Sequence, residues 1–150
     1  AGDNLFAGFG GNDSIVGGAG FDTVFYDDDS IVTGSVVVNL LTGLATSDGT
    51  GGTDTLDGIE AVYGSASNDS LTGNDVANEL VGWTGNDSLL GVGGNDTLLG
   101  EDGDDTLAGG AGDDLMDGGN GFDIAGYANV TAGLSIDLNT GIAVGDGTDT

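Results

Sequence analysis

Residues 82–126 read GWTGNDSLL, GVGGNDTLL, GEDGDDTLA, GGAGDDLMD, GGNGFDIAG, five nonapeptides in unbroken tandem. Each has Gly at its first and fourth places and Asp at its sixth. At this composition such a match arises by chance about once per 130 positions, so five in tandem are a repeat. Outward from this run, GSASNDSLT and GNDVANELV extend the array back to residue 64. Two further units, GFGGNDSIV at 8–16 and GGAGFDTVF at 17–25, follow a partial unit at 1–7.

The spacing dictates an architecture. Six residues of each unit are turn-like, with glycines where the backbone needs positive φ and a short polar residue after them. The remaining three form a minimal strand whose middle, large apolar residue points one way and its neighbours the other. Two units then make a coil of about 18 residues, with a strand on each side, and coils stack as parallel strands ~4.8 Å apart. One sheet presents Leu71, Leu89, Leu107 and Ala125, and the facing sheet presents Leu80, Leu98 and Met116. Each such buried side chain is worth roughly 1.5–3 kcal/mol. That is too little to offset the ordering of so many glycines together with the charge.

The charge is extreme: 26 acidic residues stand against no Lys, Arg or His, for a formal net charge of -26. Of 150 residues 33 are Gly, and there is no Pro or Cys. Without Cys and His, zinc, haem and iron–sulfur sites lose their usual ligands, and no Ser–His–Asp or Cys–His device can form. Nucleic acid and anionic membrane surfaces are repelled, and no apolar run approaches a membrane span. Leu, Ile, Val and Phe still make up about a quarter of the chain, above the ~20% expected of plain disorder. A chain with a core and this much negative charge needs a counter-cation, and carboxylates with backbone carbonyls are the hard oxygen ligands that suit calcium.

The sixth-place residues supply them. Stacking places Asp69, Asp87, Asp105 and Asp123 along one edge and Asn78, Asp96 and Asp114 along the other. A calcium ion between two stacked turns would meet a carboxylate from each and the carbonyls of the turns. Near the N-terminus Asn4 and Asp22 form a weaker pair, and Asp13 has no partner of its own kind 18 residues away. Asn78 is neutral and Val76 occupies its unit's fourth place; Ser67 does so in the Asp69 unit. The expected metal residues are therefore Asp13, Asp22, Asp69, Asn78, Asp87, Asp96, Asp105, Asp114 and Asp123. The expected cofactor is Ca2+, about five to six ions.

These motifs, strictest in GGAGFD (17–22), GGAGDD (109–114) and GGNGFD (118–123), resemble the RTX (repeats-in-toxin) family of hemolysin-type calcium-binding nonapeptides. The resemblance implies an all-β fold, a right-handed parallel β-roll or β-solenoid of 18-residue coils with the ions between neighbouring coils. It also implies export of the unfolded chain by type I secretion and folding in extracellular calcium.

Residues 26–63 leave the nonapeptide and form an irregular β spacer. Val36, Val38 and Leu40 alternate with Val37 and Asn39, and Thr42-Gly43 suggests a turn. Farther on, Leu56, Ile59 and Val62 are spaced by three, which brings Val62 nine residues before Leu71. The spacer begins again: GFDTVFY (20–26) resembles GFDIAGY (121–127), and SVVVNLLTGLATSDG (35–49) resembles GLSIDLNTGIAVGDG (133–147). The second pair is offset by 98 residues. The expected organisation is a short array at 1–25, a spacer at 26–63, a main array at 64–126 and a second spacer starting at 127–150, in one continuous solenoid. A module of about one hundred residues that repeats points to a large secreted or cell-surface protein, of which this chain is a segment.

Trp83 takes the second place of its unit, where Gly is usual, and should lie on an exposed edge. Leu90 and Leu99 face outward on opposite sheets. The acid pairs Asp104-Asp105 and Asp113-Asp114 invite an acid–base reading, but a slim solenoid offers no substrate cleft between carboxylates. The expected function is structural, not enzymatic: a calcium-folded segment of an adhesin or surface-layer type protein. Its partners are calcium and neighbouring modules of the same protein. The alternatives are the accessory array of a secreted enzyme or toxin, and below it an ice- or polysaccharide-binding module.

Overall fold

A computed structural model describes residues 2–26 and 32–127, and the backbone of three short strands beyond them. The strands are β1 (Leu5–Ala7), β2 (Ser14–Val16), β3 (Thr23–Phe25), β4 (Val36–Asn39), β5 (Leu44–Asp48), β6 (Asp54–Asp57), β7 (Ala61–Tyr63), β8 (Ser70–Thr72) and β9 (Glu79–Thr84). They continue as β10 (Ser88–Gly93), β11 (Thr97–Asp102), β12 (Thr106–Ala111), β13 (Leu115–Asp117) and β14 (Ile124–Ala125). The three short strands are β15 (Ser135–Asp137), β16 (Ile142–Val144) and β17 (Thr148–Asp149). No helix occurs among the described residues.

The chain winds as a β-solenoid between two facing sheets. One has the order β1-β3-β7-β9-β11-β13, with every neighbouring pair parallel. In the array its register steps by one coil: Val62 pairs with Leu80, Leu80 with Leu98, and Leu98 with Met116. The opposite sheet repeats the step with Leu71, Leu89, Leu107 and Ala125. Both rows fall where the nine-residue spacing sends them. Leu71, Leu80, Leu89, Leu98 and Leu107 are buried, while Ala125, on the outermost described strand of its sheet, is exposed.

The strands outgrow the three residues expected. From β9 to β12 each runs six residues, through the first glycine and into the turn, because identical turns stacked on one another keep pairing. Val92 pairs with Gly110, and Glu101 with Trp83.

The spacer enters the second sheet as an antiparallel meander. That sheet has the order β14-β12-β10-β8-β4-β5-β6-β2, with β4–β5 and β5–β6 antiparallel and the other pairs parallel. The first sheet passes directly from β3 to β7, so the second carries two more strands than its partner. Val36 and Val38 point inward and Val37 outward, the alternation read from sequence. Far along the chain the pairing recurs at the offset of 98: Ile136 pairs with Ala143 as Val38 pairs with Ala45, and Asp137 with Ile142 as Asn39 with Leu44.

Candidate metal centres

Each nonapeptide with glycine at its first and fourth places needs the two for different reasons. At the fourth place φ is positive, as at Gly103 (147°), and a Cβ there would overlap the carbonyl oxygen of Gly85 in the preceding coil. Only glycine lets the turns stack this closely. The first place has ordinary φ and needs glycine for room. A Cβ on Gly100 would meet Asp105 Oδ2 and sit 2.6 Å from the carbonyl oxygen of Gly118 in the next coil. The sixth-place carboxylate thus folds back beneath its own turn, beside a backbone carbonyl of the coil above. At the second place φ is positive from β9 onward. Trp83 (79°), Val92 (87°) and Glu101 (77°) adopt it without being glycine, and Trp83 stands exposed on its edge.

The sixth-place side chains tie coil to coil. The amide of Asp69 donates to Asp87 Oδ1 at 2.8 Å, that of Asp87 to Asp105 at 2.7 Å, and that of Asp105 to Asp123 at 3.0 Å. On the other edge Asn78 donates to Asp96 at 2.8 Å and Asp96 to Asp114 at 2.9 Å. Asn4 donates to Asp22 at 2.8 Å. The two edges expected from the 18-residue spacing are therefore two hydrogen-bonded columns.

At four of these aspartates one oxygen is occupied and the other is not. Oδ2 of Asp22, Asp87, Asp96 and Asp105 is buried and accepts no hydrogen bond. Burial pushes the carboxyl of Asp87 up to about 7 and that of Asp96 up to about 6, against the downward pull of one amide donor each. Neighbouring carboxylates add to the rise, Asp69 and Asp105 at Asp87, and Asp114 at Asp96. A buried anionic oxygen without a donor is costly, and the chain has no cationic side chain to meet it. A hard divalent cation fits this environment: carboxylate oxygen and glycine carbonyl lie together in the space that a Cβ would fill. No three carboxylates converge among the described residues, so most of the shell would have to be backbone oxygen.

Two members of the columns escape a reading of sequence spacing. Asp13 does have a partner: its amide donates to Asp54 Oδ1 at 2.9 Å, across 41 residues. Asp54 belongs to GTGGTDTLD (49–57), a unit with Gly first and fourth and Asp sixth that is out of phase with both arrays. The motif was visible; only its displacement by the meander hid it. Opposite, the amide of Asp22 donates to Glu60 Oε2 at 2.9 Å, so a glutamate fills a place that the motif gives to aspartate. A further ladder uses the fifth place. Asn68 Oδ1 accepts from the amide of Asn86 at 2.9 Å, Asn86 from Asp104 and Asn95 from Asp113, both at 3.1 Å. The Asn or Asp that precedes the sixth-place residue in most units was its signal.

The model of the RTX calcium-binding nonapeptide repeat matches the chain in four copies, over residues 1–24, 48–89, 63–98 and 90–125. No curated protein matches the chain significantly. The repeat covers more than half of the sequence and follows the coils whose turns carry these columns, and the chain belongs to the RTX calcium-binding nonapeptide-repeat family.

Proposed function

We propose that this chain is a calcium-dependent structural β-roll segment of a large bacterial secreted or cell-surface protein, of adhesin or surface-layer type. RTX repeats bind calcium and are typical of bacterial proteins exported by type I secretion. The observation that carries the reading is the row of buried, unpaired Oδ2 atoms at Asp22, Asp87, Asp96 and Asp105 in a chain without a cationic side chain.

In this reading the ions lie between stacked turns. Asp69, Asp87, Asp105 and Asp123 serve one edge, and Asn78, Asp96 and Asp114 the other, with Asp22 and Asp13 in the N-terminal coils. The total is about five to six ions, each completed to six or more oxygens by turn carbonyls. Extracellular modules bind calcium at about 10⁻⁴–10⁻³ M, so low cytosolic calcium leaves the array unfolded for export and external calcium folds it by linkage. The role is structural, a spacer that neighbouring modules extend.

Far-UV circular dichroism during a calcium titration, with magnesium as control, tests this. A cooperative gain of β signal with calcium and not with magnesium is expected. A spectrum indifferent to both calcium and chelator would end the proposal.

A further inference from the structure

The sixth-place side chains fall into two kinds according to what their second oxygen does. At Asp22, Asp87, Asp96 and Asp105 it is buried and unpaired. At Asp54 the same atom accepts the hydroxyl of Tyr26 at 2.9 Å, while Oδ1 holds the amide of Asp13. At Asp69 Oδ2 accepts the Ser65 amide at 2.5 Å, and Oδ1 accepts the Val36 amide at 2.7 Å and the Ser65 hydroxyl at 3.0 Å. Asn78 brings its own donor: Nδ2 reaches the carbonyl of Glu60 at 3.1 Å, and Oδ1 accepts the Asn74 amide at 2.8 Å. Asp48, just before the Asp54 unit and fully buried in β5, is satisfied on both oxygens too: Oδ1 accepts the amides of Thr50, Gly51 and Gly52 at 2.7–2.9 Å, and Oδ2 accepts the Thr50 hydroxyl at 3.0 Å.

These satisfied side chains are neighbours. They lie on or just before β5, β6, β8 and β9, in and beside the meander. The apolar core is concentrated in the same place. Among the described residues nine buried apolar side chains lie between Tyr26 and Val62, against three (Leu89, Leu98, Leu107) between Gly82 and Gly126. Where protein donors meet every buried oxygen and the core is dense, closing the coil needs no cation. Where an anionic oxygen is left over a thin core, it does.

We infer that the meander and the coils against it, Tyr26 with residues 32–81, form a calcium-independent folding nucleus. Calcium-dependent coils extend from it on both sides, through Asp22 in one direction and through Asp87, Asp96 and Asp105 in the other. This rests on the calcium-dependent reading of the array. Stability in stacked repeats is the sum of unit and nearest-neighbour terms, so a preformed coil removes the cost of starting and lets calcium add one coil at a time.

Hydrogen–deuterium exchange of the full chain in chelator, magnesium and calcium tests this, with pepsin digestion because trypsin has no site. In chelator, peptides spanning β4–β7 are expected to exchange at least about 10-fold more slowly than an unstructured chain. Those spanning 88–117 should exchange at unstructured rates until calcium is added. If β4–β7 also exchange freely in chelator and both regions gain protection together with calcium, the nucleus is overturned and the calcium reading stands. If 88–117 are protected in chelator, the calcium reading itself falls. Tyr26→Phe keeps the ring and deletes the donor to Asp54. It is expected to cut β4–β7 protection in chelator by about 10-fold, the scale of one buried hydrogen bond. Unchanged protection in this variant would overturn the argument from satisfied oxygens.

Discussion

The amide of Asp69 donates to Asp87 Oδ1 at 2.8 Å, one coil away, while Asp87 Oδ2 accepts no hydrogen bond. One carboxylate therefore does two separable things: the first oxygen joins coils, and the second presents buried negative charge. Asp87→Asn keeps the first and removes the second. Isothermal titration calorimetry should show at least one calcium fewer per chain, with folding still reached at higher calcium. Asp87→Ala also strands the Asp69 amide, at about 1–3 kcal/mol, and should lower the thermal midpoint further than Asn does. Equal stoichiometry in wild type and both variants would remove Asp87 from the metal site.

Acid should partly replace calcium. Burial raises the carboxyls of Asp87 and Asp96 to about 7 and about 6 in the folded chain, above the ordinary carboxylate value of about 3.9 in the unfolded one. A raised folded value means that the ionised group opposes folding above about pH 7. The opposition fades as pH falls toward about 4, where both states are protonated. In chelator, strand content by circular dichroism should rise between about pH 8 and pH 5. In calcium, protons compete, so the calcium midpoint should move upward over the same range. A chelated chain whose spectrum ignores pH across this window would contradict the electrostatic account of the array.

Val92 is β-branched and holds φ at 87°, where such residues are strained. Its equivalent one coil on is Gly110, with φ at 105°. Val92→Gly should relieve about 1–2 kcal/mol of strain and lower the calcium midpoint, although some half-buried side-chain area is lost. A higher midpoint in the variant would mean that the Val92 side chain contributes more than its backbone costs.

Leu98 is fully buried between Leu80 and Met116. Leu98→Ala should destabilise the array by about 2–5 kcal/mol, measured as a lower thermal midpoint in saturating calcium. In a core one side chain wide the cavity has few neighbours able to close it. A shift below about 1 kcal/mol would show that the coils are held by their turns alone.

The nine-residue spacing gave the two sheets, their parallel registers and the columns from Asp69 to Asp123 and from Asn78 to Asp114, because a solenoid turns sequence distance directly into height. What spacing could not give is the partner of Asp13. Its hydrogen bond to Asp54 spans 41 residues, since the β4–β5–β6 meander, with β5 running against its neighbours, breaks the proportion between distance and height. The stand-in of Glu60 for aspartate opposite Asp22 is likewise a matter of reach that no motif encodes. The hydroxyl of Tyr26 is invisible for a third reason: Tyr26 and Asp54 meet only once the meander has formed.

A ladder of equal rungs has a weakness that the meander removes. Slide the strands of the array past one another by a whole coil and Leu71, Leu89 and Leu107 still meet leucine-like neighbours, so staggered pairings differ little in energy. The hairpin of β4 and β5 has no counterpart between Gly64 and Gly126 and can seat in one way only. It acts as the stop on a screw thread: coils wound outward from it inherit a single phase.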